Sequence, residues 1–142
     1  CSSDLWARNN QSALIRIPTV KAGKPDSTRI EYRAADAACN PYLAFSVLLA
    51  AGLRGIEHNY ELDDEVSNDI FEMSAAERRT AGIRRLPETL AQALDEMEKS
   101  DLVNEALGDH VFDWFIRNKH EEWDRYQQHV SRFELERFLP IL

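Results

Sequence analysis

Two periodicities divide the chain. Over residues 12–18 and 28–33 side chains alternate between two faces, the period of a strand, and from Asn40 onward apolar positions recur every three to four residues, the period of a helix. In Ser12-Ala13-Leu14-Ile15-Arg16-Ile17-Pro18, Ala13, Ile15 and Ile17 alternate with Ser12, Leu14 and Arg16, and the run ends on proline. In Thr28-Arg29-Ile30-Glu31-Tyr32-Arg33, strand geometry puts Arg29, Glu31 and Arg33 on one face and Ile30 and Tyr32 on the other. Between the two runs, residues 19–27 carry Lys21, Gly23, Lys24, Pro25 and Asp26, the composition of a flexible basic loop. The pattern predicts two strands joined by that loop, and helices after them.

The first helix opens at Asn40-Pro41, because asparagine caps helix starts well and proline suits the first turn. Residues 41–56 are apolar almost all round, which predicts burial on most sides, and Gly52 and Gly55 predict close approach of neighbouring elements near its end. Ser74-Ala75-Ala76-Glu77 has the capping-box pattern. Leu90, Ala93, Leu94 and Met97 then recur at helical spacing, and Val111, Phe112, Phe115, Ile116, Trp123, Tyr126 and Val130 mark one long amphipathic helix. The aromatic stripes read as core packing. A second capping box, Ser131-Arg132-Phe133-Glu134, leads into Leu135, Phe138, Leu139, Ile141 and Leu142, an apolar cluster that reads as a surface for a missing partner.

Composition narrows the function classes. A chain of 142 residues is long enough for one core. Its net charge of −8, with basic residues interspersed among acids, argues against nucleic acid or an anionic membrane as partner. The longest apolar run, residues 42–51, is too short to cross a bilayer, and no signal peptide or repeat is visible, so a soluble cytoplasmic protein is expected. Cys1 and Cys39 make neither a disulfide framework nor a metal motif, and Cys39 reads as a small buried residue. His58, His110, His120 and His129 lack metal-ligand spacing.

The chemistry concentrates in Arg29, Glu31 and Arg33. Three charges on one face of a short strand are costly to bury without partners. Two readings stand: a self-neutralising patch on a solvated face, or a site for a phosphate, a carboxylate and a divalent cation together. Arginine forks suit the two anions, and a carboxylate oxygen suits Mg²⁺ or Mn²⁺.

The order SALIRIP, TRIEYRAADAACNPYLAF, LLAAGLRGI resembles the C-terminal part of type I glutamine synthetase. The resemblance runs from about Arg8 to near the end, taking in Arg84-Arg85-Leu86-Pro87 and residues 133–139, and leans towards the actinobacterial branches. It implies an α+β fold: the C-terminal portion of the catalytic domain, two antiparallel strands followed by a mainly helical region. Family members are considerably longer, so it also implies that an N-terminal β-grasp domain and most of the catalytic domain are missing. Residues 1–5, CSSDL, look like an in-frame translation of a sequencing adaptor and are expected to be a non-native leader before the domain part at 6–142.

The resemblance further implies ATP and Mg²⁺ (or Mn²⁺) as cofactors, with glutamate and ammonia as substrates. Relatives that use polyamines or ethanolamine look very similar in this region, and the amine pocket would lie largely outside this chain. Glu31 matches a metal-ligand glutamate, Arg33 an arginine that holds the substrate carboxylate, and Arg16 and Arg29 arginines lining the nucleotide and phosphate site. Lys24 matches a loop lysine near ATP, with Lys21 as competitor. Gln11 stands where most relatives have an arginine that contacts the transferring phosphate, a loss commonly worth on the order of 10²–10³ in rate. That departure leaves open a non-catalytic structural or regulatory relative. Ala35 replaces a usual proline. The family also implies a stacked-ring dodecamer, with residues 138–142 contributing to the contact with the facing ring. With one metal ligand, the chain by itself is expected to be inactive and to bind metal weakly.

Overall fold

The computed structural model describes residues 5–8, 10, 13–65 and 72–141. It divides into two compact units, Cys1–Pro87 and Glu88–Leu142. Of the five residues expected to be a leader, four lie outside the described residues, as does Gln11.

The first unit begins with a three-stranded sheet in the order β1 (Trp6–Arg8), β2 (Ile15–Ile17), β3 (Glu31–Tyr32). β2 and β3 run antiparallel, as expected, with Ile15 opposite Tyr32 and Arg16 opposite Glu31. β1 is parallel to β2 and was not legible in the sequence, since three residues are too few to establish a period. Its centre, Ala7, is 1 % exposed. Its ends are tied to residues 61–65: Trp6 Nε1 donates to the Asp63 carbonyl at 2.8 Å, and the Arg8 N–H donates to Glu65 at 3.1 Å.

Both predicted strands are shorter than their alternation. Leu14 lies in a bend, so β2 starts at Ile15. Before β3, the N–H and the hydroxyl of Thr28 both donate to the Pro25 carbonyl, which holds this residue in the loop and away from the ladder. The loop itself is ordered by internal bonds. Lys24 N–H donates to Lys21, a 3₁₀ turn covers Pro25–Ser27, and Gly23 takes φ +73°, a conformation that favours glycine.

Helix α1 spans Pro41–Glu57, and the predicted cap is present: Asn40 Oδ1 accepts from the N–H groups of Tyr42 (3.0 Å) and Leu43 (3.4 Å). The predicted burial is not. No α1 residue is fully buried; Leu43, Ala44, Val47 and Leu48 are half-buried, while Tyr42, Phe45, Leu49, Leu53 and Ile56 are exposed. Among the described residues of this unit no strand or other helix packs along α1, so its apolar circumference is not closed. For the same reason a Cβ on Gly52 would meet nothing within 4 Å, and one on Gly55 would meet the Tyr60 ring alone at 3.9 Å. Cys39 is exposed rather than buried, because it sits in a surface turn whose N–H returns to Asp36. Helix α2 (Ala75–Thr80) has the predicted capping box, with Ser74 N–H to Glu77 at 2.7 Å and Glu77 N–H to Ser74 Oγ at 3.3 Å. Its exit brings Ile83 into a buried position.

The second unit is helical. α3 (Leu90–Glu98), α4 (Asp101–Leu107) and α5 (Asp109–Gln128) pack on one another, with Leu94 and Phe112 buried. α4 is short and was not anticipated; Ser100 caps its start and Gly108, at φ +74°, ends it and begins α5. Val111, Phe115, Ile116 and Trp123 are half-buried, as a core stripe should be. Tyr126 and Val130 are exposed, contrary to the core reading. They lie on the last turn of α5 and beyond its end, where α6 (Arg132–Phe138) does not pack on α5 among the described residues. α6 has the second predicted capping box, runs into a 3₁₀ turn at Leu139–Ile141, and leaves Phe133, Leu135, Phe138, Leu139 and Ile141 exposed. No helix among the described residues is long and apolar enough to cross a membrane.

Burial decides where this unit is fragile. Leu94, 2 % exposed, has no room to be replaced without a cavity. Leu94→Ala should therefore lower the stability of the helical unit by about 2–5 kcal/mol. Tyr126→Ala should change it by about 0.5 kcal/mol or less. Denaturant unfolding of the two variants, followed by circular dichroism, checks the contrast.

Candidate functional site

The β2–β3 register builds the site. In an antiparallel pair, residues directly opposite carry neighbouring side chains, and here Arg16 is opposite Glu31. Arg16 Nη1 donates to Glu31 Oε2 at 2.7 Å, and Arg29 Nη2 donates to Oε1 at 3.0 Å. Each carboxylate oxygen thus receives one guanidinium, and the cluster keeps one net positive charge. Arg29 Nη1 also donates, at 3.4 Å, to the Ser27 carbonyl. The Arg16 side chain is 24 % exposed, and its Nε is buried without a hydrogen-bond partner among the described residues. The bond from Arg16 is the main cause that holds the Glu31 carboxyl below its ordinary value of 4.5; loss of hydration opposes it and Arg29 adds to it.

Of the six residues expected at the site, the structure gathers Arg16, Arg29 and Glu31 into one cluster. Arg33 follows β3 with its N–H bonded to the Leu14 carbonyl at 2.9 Å and its side chain exposed. Lys24 lies in the loop with an exposed side chain, as does Lys21. Gln11 lies outside the described residues. Sequence reasoning passed over Ser27. Its hydroxyl accepts from the Lys21 N–H at 3.1 Å and donates to the Lys24 carbonyl at 2.7 Å, while its own carbonyl receives Arg29. The available signal was Pro25-Asp26-Ser27-Thr28, since a serine after proline and aspartate commonly bonds back to local backbone.

The described residues do not by themselves fit Mg²⁺ or Mn²⁺. Such ions want several oxygen donors, and Glu31 is the one carboxylate in this cluster among the described residues. Among the described residues no group of three or more His, Cys, Asp or Glu side chains could hold a metal ion. His120 is engaged elsewhere, 2.7 Å from Glu98.

Two guanidiniums converging on Glu31 in a short hairpin, with a capped apolar helix following, give a charge cluster on an α+β fold. Comparison with known proteins narrows this. The family model described as the glutamine synthetase catalytic domain matches residues 3–138. A glutamine synthetase from Mycolicibacterium smegmatis is 49 % identical over 136 residues, which is 96 % of this chain and 30 % of the relative. One from Methanococcus maripaludis is 44 % identical over 136 residues, with the same shares of 96 % and 30 %. Among solved structures, ligand-free GmaS superposes with a TM-score of 0.79 at 28 % identity, over 97 % of this chain and 30 % of that one. The chain belongs to the glutamine synthetase catalytic-domain family, as the resemblance of its motifs implied. It spans about 30 % of the length of these relatives.

The charge cluster has a pH signature. Because folding lowers the Glu31 pKa, its contribution to the hairpin is complete above 4.5 and is lost as pH falls through the lower folded value. Arg16→Ala should move the Glu31 titration midpoint back towards 4.5, and by more than Arg29→Ala does. Carboxyl-carbon NMR titration of the two variants measures this, and equal or reversed effects would contradict the ordering.

Proposed function

We propose that residues 6–142 are the C-terminal part of the catalytic domain of an ATP-dependent ligase that forms glutamine from glutamate and ammonia through a γ-glutamyl phosphate. The observation that carries this reading is the Arg16–Glu31–Arg29 cluster, built from β2, β3 and the segment leading into β3, within the residues that the family model matches. The chemistry joins two anions: the γ-carboxylate must attack the terminal phosphate of ATP, so fixed positive charge has to offset their repulsion. Arg16 and Arg29 supply it here, facing the nucleotide and the transferred phosphoryl group. Arg33 takes the carboxylate of glutamate with its planar fork. Lys24, on the basic loop, reaches towards ATP. Glu31 is one oxygen donor to Mg²⁺ or Mn²⁺, whose other donors are not among the described residues. When bound, the metal neutralises phosphate charge.

Another amine could take the place of ammonia, giving a γ-glutamyl-polyamine or -ethanolamide ligase. A second reading, a structural or regulatory relative without turnover, is favoured by Gln11 in place of an arginine. In either case assembly into stacked rings is supported by the exposed Phe138, Leu139 and Ile141; Leu142 lies outside the described residues. A cytoplasmic setting suits the substrates.

The test is a chimera in which residues 6–142 replace the matching 30 % of the Mycolicibacterium smegmatis relative. It should release phosphate with ATP, glutamate and ammonia, whereas the 142-residue chain alone should not. Arg33→Ala should raise the KM for glutamate by on the order of 10- to 100-fold. Gln11→Arg should raise kcat by on the order of 10²–10³. A chimera that turns over neither with Gln11 nor with arginine there would overturn the ligase reading.

A further inference from the structure

Ser27 is a residue of the β2–β3 loop that the proposed chemistry does not use, yet the loop is bonded around it. Over residues 21–30 it is the one residue that is not exposed. Its hydroxyl is bonded twice: it accepts from the Lys21 N–H at 3.1 Å and donates to the Lys24 carbonyl at 2.7 Å. The Ser27 N–H donates to that same carbonyl at 3.0 Å, and the Lys24 N–H returns to the Lys21 carbonyl at 3.0 Å. Both lysines therefore leave the backbone at points tied to one serine. We propose that Ser27 is a positioning residue for ATP that acts through Lys24, its hydroxyl holding the loop backbone in the shape from which that lysine meets the nucleotide. This rests on the reading of Lys24 as the ATP-facing lysine of the loop.

The backbone turn does not do this by itself. The 3₁₀ turn at Pro25–Ser27 reaches back to Lys24 through main-chain bonds, and the hydroxyl extends that hold to the Lys21 N–H, six residues before it. A loop without that tie would have to be ordered each time a nucleotide bound, at a cost in backbone entropy. A loop ordered beforehand avoids the cost and binds more tightly. The Lys24 side chain stays exposed, so the backbone is fixed while the ammonium can still reach a ligand. The Ser27 carbonyl accepts from Arg29 Nη1 at 3.4 Å, but that contact belongs to the main chain and does not need the hydroxyl. Removing the hydroxyl thus loosens the lysines and leaves Arg29 on Glu31. Its effect falls on ATP binding rather than on the phosphoryl step that the arginines serve.

The experiment uses the chimera described above, with Ser27→Ala, Lys24→Met and the double variant. Ser27→Ala should raise the KM for ATP by about tenfold, the factor that one net hydrogen bond supplies, and leave kcat and the KM for glutamate in place. In the Lys24→Met background the same substitution should add almost nothing, because its effect runs through that lysine. In the 142-residue chain, NMR hydrogen exchange should show the Lys21 amide exchanging about tenfold faster in Ser27→Ala. An unchanged exchange rate overturns the proposal, since the hydroxyl then holds nothing. So does an unmoved KM for ATP, a fall in kcat at constant KM, or an effect as large with methionine at position 24 as with lysine; in each of these cases the ligase reading stands. A chimera that turns over with neither residue at position 11 overturns the ligase reading and this inference together.

Discussion

The pairing of Arg16 across from Glu31 organises everything at this end of the molecule. It depends on backbone register: one residue of slip between β2 and β3 would turn the two side chains to opposite faces. Register depends in turn on the loop between the strands, which is held by the 3₁₀ turn at Pro25–Ser27, the positive φ of Gly23 and the Thr28 bonds to Pro25. Arg29 joins the cluster because the same loop delivers it from the other side. A short piece of irregular backbone thus helps bring two guanidiniums onto one carboxylate.

The chain places its polar organisation and its apolar surfaces in different elements. The three-stranded sheet is small and well bonded, with Ala7 in β1 and Ala13 just before β2 almost wholly enclosed. α1 and α6 are the reverse: well capped, yet exposing rows of large side chains. Capping fixes where a helix begins but adds little burial. Among the described residues such faces stay uncovered in these two helices, whereas α3–α5 pack on one another.

Legibility followed the range of the interaction. The starts of α1, α2 and α6 could be read from Asn40, Ser74 and Ser131, because a cap is settled within four residues. Arg29 and Glu31 could be read because a two-residue period puts them side by side, whereas Arg16 was reached only through the resemblance of the motifs. What escaped was non-local or very short. β1 exists through parallel pairing and through Asp63 and Glu65, nearly sixty residues away. α4 is a seven-residue helix with no period of its own to display. The burial assigned to α1 and Cys39 failed because an apolar composition says that a surface prefers cover, not that a neighbour provides it. The self-neutralised state of Glu31 was weighed from the sequence as one of two readings. Only the distances show that the carboxylate is taken on both sides.

Ser27 has a mechanical consequence. One hydroxyl fastens the peptide groups of Lys21 and Lys24, and the next atoms along its main chain fasten Arg29. The lysine-bearing loop and Arg29 are therefore joined through a single residue. The spacing of Lys21 and Lys24 along the loop is thus set by one serine side chain rather than by the strands on either side.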